Sequence, residues 1–233
     1  RMAEDAGSGS GVALSPTQQT AVCTLIETCH RFVASKLGSA AVSQRDIQRV
    51  FKLMPFLQRL KPDAPYVAAI MAVALVYYLR LPLRSTGRED SRVDLANAVR
   101  RLVSGDLDLC GTVDRVIAEI VSDANFEVPD GVALNQALRE NMFAILVATH
   151  TQVPLAIIGR PGCSKTLAVQ LIVQNLKGRQ SPTRFCQGLD TIVPFFVQCN
   201  EDSTPAEIST VLDVAKETQL RFNRGNERQH CVV

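Results

Sequence analysis

Val153-Pro154-Leu155-Ala156-Ile157-Ile158 runs without interruption into Gly159-Arg160-Pro161-Gly162-Cys163-Ser164-Lys165-Thr166. The apolar run suits a buried strand, the glycine-containing stretch suits a turn, and residues 167–176 (LAVQLIVQNL) read as a helix. This is the order and chemistry of a phosphate loop, G-x-x-x-x-G-K-[ST], placed between a strand and a helix. Gly159, Lys165 and Thr166 match that pattern, and Ser164 stands where the second glycine belongs. Gly159 and Gly162 are read as letting the backbone curl until several N–H groups converge on an anion. Lys165 supplies a point charge for β- and γ-phosphates, and the Thr166 hydroxyl supplies a ligand for Mg²⁺. The positive end of the following helix adds to both. Ser164 is expected to keep a negative φ, as at the start of a helix. All eight positions from Gly159 to Thr166 are therefore candidate ATP contacts.

Downstream, residues 177–191 are polar and irregular. The run Ile192-Val193-Pro194-Phe195-Phe196-Val197-Gln198 contains a second strand, expected to begin after Pro194, because proline cannot donate to a ladder. Thr204-Pro205-Ala206-Glu207 opens a helix with a capping box and proline at its first position. His230-Cys231-Val232-Val233 is β-prone. Strand, helix, strand, helix, strand predicts a parallel α/β sheet, the start of a P-loop αβα sandwich.

Upstream, the chain reads as helical from Ser15 to about Asn125. Ser15 and Ser43 are expected N-caps, Pro16 a first helical residue, and Ser91 a cap for a fourth helix. Pro55 is expected to disturb or end the second helix. Residues 66–81 read as a buried helix, 112–122 as a fifth and 134–149 as a sixth. This gives a flexible linker over 1–12, a helical region over 13–126 and a P-loop region over 127–233. The clearest internal loop is 81–90, LPLRSTGRED.

Composition narrows the function classes. With 25 Lys+Arg against 23 Asp+Glu, no Trp and 5% aromatics, the 233-residue chain has neither the basic field nor the stacking surface of a nucleic-acid binder. Its longest apolar run, Tyr66 to Leu79, is shorter than the ~20 residues that span a bilayer. Seven cysteines, none in C-x-x-C spacing, indicate neither a disulfide framework nor a zinc site, and point to a reducing compartment such as the cytoplasm. Cys29-His30 is read as core packing. No guanine-reading N/T-K-x-D motif follows the loop, which weighs against a GTPase.

The Gly159-Arg160-Pro161-Gly162 loop with serine before Lys165 resembles that of the mysterin family of giant AAA+ ATPases and ubiquitin ligases. So do residues 133–143 (ALNQALRENMF), Val153-Pro154-Leu155, Phe196-Val197-Gln198-Cys199-Asn200 and Ser203-Thr204-Pro205. In the first half, Val42-Ser43-Gln44-Arg45-Asp46-Ile47-Gln48-Arg49 is similar to the S-x-R-D helix of an AAA+ lid, and Val76-Tyr77-Tyr78-Leu79-Arg80-Leu81 to the segment joining two modules. The resemblance implies that the helical half is the lid and connector of one AAA+ module and that the P-loop half begins the next. Arg45 would be a sensor for the preceding module's nucleotide. Partners would be ATP with Mg²⁺ and neighbouring AAA+ modules of one long chain.

Hydrolysis would need an Asp-Glu pair ending a later strand. No such pair follows four apolar residues between Thr166 and Val233, so it is expected beyond Val233, with the present segment inactive alone. The alternative is a nucleotide-binding, non-hydrolysing structural module of a ring, and more remotely an unrelated P-loop GTPase or kinase. No RING-like Cys/His spacing is present, so ubiquitin transfer is expected elsewhere in a parent protein.

Overall fold

The structure is a computed structural model that describes residues 14–82, 90–103, 107–225 and 228–233. The expected linker over 1–12 and most of the loop over 81–90 lie outside the described residues. The chain divides into two compact units between Arg115 and Val116.

The first unit is helical. α1 (Pro16–Leu37) begins at the expected Ser15 cap, whose hydroxyl accepts the Gln18 N–H while the Gln18 side chain accepts the Ser15 N–H. α2 (Gln44–Leu60) follows Ser43 and passes straight through Pro55. That corrects the expectation of a break. The hydrogen bond that Pro55 cannot make would go to Phe51, an exposed residue, while Val50, Leu53, Phe56 and Leu57 bury the opposite face. α3 (Pro65–Val76) is buried on every side, from Ala68 through Ala74, and a 3₁₀ turn at Tyr78–Arg80 follows it. α4 (Ser91–Leu102) is capped by Asp90 rather than Ser91. The Asp90 carboxylate accepts from Arg92 N and Val93 N, a stronger anchor than a hydroxyl at the positive end of a helix. Of the apolar residues on this helix, Leu95 and Val99 are buried, whereas Val93 and Leu102 face solvent. α5 (Leu109–Ile120) starts earlier than the 112–122 reading.

Within the first unit α3 packs on α1 and α2, and α1 also packs on α4. Buried Arg92 lies 4.9 Å over the Tyr78 ring and donates from Nε to Leu81 O, so its charge is met by a π face and a carbonyl. Burial pushes the Cys29 thiol up to about 12, which keeps it a neutral packing group.

The second unit is α/β. α6 (Gln136–Thr151), capped by Asn135, packs on α7 (Lys165–Asn175). A one-turn helix, α8 (Arg184–Gln187), precedes β1 (Thr191–Pro194). α9 (Pro205–Arg224) has the expected Thr204/Glu207 capping box and Pro205 at its start. β2 (Gln229–Val232) pairs with β1 in parallel, Thr191 opposite Gln229 and Pro194 opposite Val232. Buried Asn175 is fully used: it accepts from Glu127 N and donates to Glu127 O and Leu171 O, clasping the segment before α6 onto α7.

Two strand expectations are corrected. Residues 153–158 form no ladder among the described residues, and Leu155 and Ile158 are exposed by 45% and 94%. A parallel strand of this composition needs hydrogen-bonded neighbours and covered faces. β1 and β2 pair with each other instead. Second, β1 lies before Phe195 and contains Pro194. Thr191 N donates to Arg228 O and Phe195 N to Val232 O, so odd-numbered residues face β2. Ile192 N turns the other way, to Leu176 O, and the Pro194 nitrogen lies on that side, where the β2 ladder requires no donor. The far edge of β2 is met by a side chain: Gln219 of α9 accepts from Cys231 N and donates to Gln229 O. That blunts an edge otherwise open to another strand.

Candidate functional site

The loop from Gly159 to Thr166 connects the exposed 153–158 run to α7. Two of its residues adopt left-handed backbone, Gly162 with φ 84° and Ser164 with φ 55°. Gly162 takes a conformation that its lack of a Cβ makes easy. Gly159 does not: its φ is not positive, and a Cβ there would meet only ordinary contacts of 3.7–3.9 Å from Cys163 and Lys165. Ser164 corrects the expectation of a negative φ. The chain must reverse between Cys163 and the first turn of α7, and the residue before Lys165 takes the left-handed step, at a cost of about 1–2 kcal/mol for a residue with a Cβ. The position is one that glycine would fill without strain.

Lys165 is the organising side chain. Its Nζ donates to Gly159 O at 2.7 Å and to Arg160 O at 2.8 Å, so the loop wraps around the ammonium. Cys163 N donates to Arg160 O at 3.3 Å and closes the turn. Arg160, Pro161, Gly162, Cys163 and Thr166 are exposed, and Ser164 and Lys165 are half-buried. All eight expected residues thus share one solvent-facing turn at the N-terminus of an eleven-residue helix. Such a turn, with alternating left-handed residues, a cation and a terminal hydroxyl, is chemically suited to an anion carrying several oxygens.

One further member has no sequence signal of its own. Asn141, on α6, donates from Nδ2 to Cys163 O at 3.0 Å across 22 positions of sequence. Only the fold could bring them together.

In the first unit Arg45 is exposed on the first turn of α2. Its neighbour Asp46 carries the connections. This buried carboxylate accepts from Ser43 N, Arg49 and Arg80, and Arg80 also donates to Ala41 O. Burial alone would raise the Asp46 pKa, but the Ser43 N–H and the two guanidinium groups outweigh it and hold the carboxyl below the usual carboxylate range.

Residues 131–233 match the family model described as the RNF213 AAA domain. They form an RNF213-like AAA+ segment. The human E3 ubiquitin-protein ligase RNF213 is 32% identical to the chain over 102 residues, 43% of it. The mouse E3 ubiquitin-protein ligase RNF213 is 21% identical over 240 residues, 93% of the chain, and so extends the similarity into the helical unit. A Dictyostelium discoideum protein named as an uncharacterized transmembrane protein is 39% identical over 92 residues, 38% of the chain. The chain spans only 2% to 4% of the length of these relatives. No helix among the described residues is long and apolar enough to cross a membrane. The turn over residues 159–166, Asn141 and both strands of the sheet all fall inside the matched residues 131–233, whereas Arg45 and Asp46 lie before them.

Proposed function

We propose that the turn from Gly159 to Thr166 binds ATP together with Mg²⁺, as the phosphate loop of an AAA+ ATPase module in a longer, RNF213-like E3 ubiquitin ligase. The observation that carries this reading is the turn itself: Lys165 Nζ is gathered inside it by two carbonyls, flanked by left-handed Gly162 and Ser164. The residues present fit the group. Lys165 would exchange its carbonyl partners for phosphate oxygens, the loop N–H groups would cradle those oxygens, and the exposed Thr166 hydroxyl would enter the Mg²⁺ shell. Bound Mg²⁺ supplies charge neutralisation across the β- and γ-phosphates.

Binding rather than turnover is assigned to these residues. Hydrolysis needs a group that positions water, and the sequence between Thr166 and Val233 offers no strand ending in Asp-Glu. Glu201-Asp202 sits in an exposed turn before α9. Hydrolysis is therefore ascribed to the parent protein, and a structural, non-hydrolysing module is the second reading. Exposed Arg45 is assigned to the nucleotide of a preceding module, and seven free cysteines favour a cytoplasmic setting.

Calorimetry with MgATP tests the assignment. Lys165→Ala removes a charge-assisted contact and should weaken binding about ten- to a hundredfold. Thr166→Ala should weaken it only when Mg²⁺ is present. Equal affinity of Lys165→Ala and the unaltered chain would defeat the phosphate-loop reading.

A further inference from the structure

We propose that Asn141 is a positioning residue for the phosphate loop: from α6 it fixes the peptide between Cys163 and Ser164, and so sets the aim of the Ser164 N–H toward a bound triphosphate. The inference rests on the reading of residues 159–166 as a nucleotide loop.

The geometry is local and specific. Cys163 lies between the two left-handed residues, Gly162 and Ser164. Its own N–H is used in the turn, donating to Arg160 O at 3.3 Å. Its carbonyl is held at 3.0 Å by the Asn141 side-chain N–H. No cis peptide occurs among the described residues, so the C=O of Cys163 and the N–H of Ser164 point in opposite directions across one rigid plane. Fixing the carbonyl toward α6 therefore fixes the next N–H away from α6. That N–H is adjacent to Lys165, whose ammonium is already bound in the curl by Gly159 O and Arg160 O. α6 packs directly on α7, so the anchor sits against the helix into which the loop runs. A loop with serine at a left-handed position gains most from such an anchor, because serine leaves that conformation more readily than glycine.

The test measures MgATP affinity of the full chain and its Asn141 variants, with Lys165→Ala as control. Asn141→Gln keeps an amide donor on a longer stem and should stay within about threefold of the unaltered chain. Asn141→Ala loses one neutral hydrogen bond and should bind about three- to tenfold more weakly. Asn141→Asp, a carboxylate facing a carbonyl, should be weaker still. A purely structural role on α6 would rank them differently, since Ala is the best helix former of the three. A second readout needs no nucleotide: the Cys163 amide should exchange its hydrogen faster in the Ala and Asp variants than in the Gln variant. Alanine binding as well as glutamine, or unchanged Cys163 exchange, overturns the role of Asn141 while leaving the loop assignment intact if Lys165→Ala fails to bind. Unimpaired binding by Lys165→Ala overturns both.

Discussion

α3 and the 153–158 run are both apolar stretches, one in each unit, and they meet opposite fates. Ile70 in α3 is 1% exposed, while Ile158 is 94% exposed. A helix satisfies its backbone within itself, so α3 needs only apolar neighbours, which α1 and α2 provide. A strand satisfies nothing within itself. The 153–158 run has strand composition but no ladder among the described residues, and Pro154, Leu155, Ala156 and Ile158 stay exposed. Apolar composition therefore sets what a segment can become, and hydrogen-bonding partners set whether it does.

The same substitution at the two isoleucines breaks or upholds this contrast. Ile70→Ala should cost about 2–5 kcal/mol, the usual price of a cavity in a packed core. Ile158→Ala should change stability by less than about 0.5 kcal/mol. Urea denaturation followed separately for the two units measures both, and similar losses would mean that Ile158 is buried in solution.

Asp46 extends the contrast to charge. Its ion pairs hold the start of α2 to the 3₁₀ turn that follows α3, whereas the Lys165 ammonium in the 159–166 turn is met by two carbonyls. Asp46→Asn should cost the first unit about 1.5–3 kcal/mol near neutral pH. Because the folded pKa lies below the unfolded value of about 3.9, the unfolded chain takes up the proton first as pH falls. The contribution is complete above the unfolded pKa and is lost as pH drops through the folded one. Denaturation midpoints recorded from pH 6 to pH 2 should show that loss in the unaltered chain and a flatter profile in Asp46→Asn. Identical profiles would remove Asp46 from the account.

A smaller effect than that of Asp46 lies in the loop. Ser164→Gly relieves a left-handed residue of its Cβ, worth about 1–2 kcal/mol, but frees the unfolded chain by about 0.5–1 kcal/mol. A net gain of about 0–1.5 kcal/mol in the second unit follows, with MgATP affinity retained. A melting temperature that falls on this substitution would show that Ser164 contributes something beyond its backbone angle.

Much of this was readable before any coordinates. The Ser15 and Thr204 caps, the buried α3, the β2 strand and the loop from Gly159 to Thr166 depend on residues a few positions apart, and short-range sterics and hydrogen bonds fix such features. Pro55 misled because what it costs depends on which face of α2 loses a bond, and that face is solvent. Pro194 misled because its effect depends on which side of the strand its nitrogen faces.

The sequence by itself determined where helices start, which of their faces are apolar, and that a lysine and a threonine end a glycine turn ahead of a helix. Tertiary structure alone decided that β1 pairs with β2 while the 153–158 run has no ladder partner among the described residues, that Ser164 turns left-handed, that Asp46 rather than Arg45 carries the ion pairs, and that Asn141 reaches Cys163. Each of these joins groups distant in sequence or depends on what surrounds them, and no local pattern encodes the position of a partner that the chain brings near only by folding.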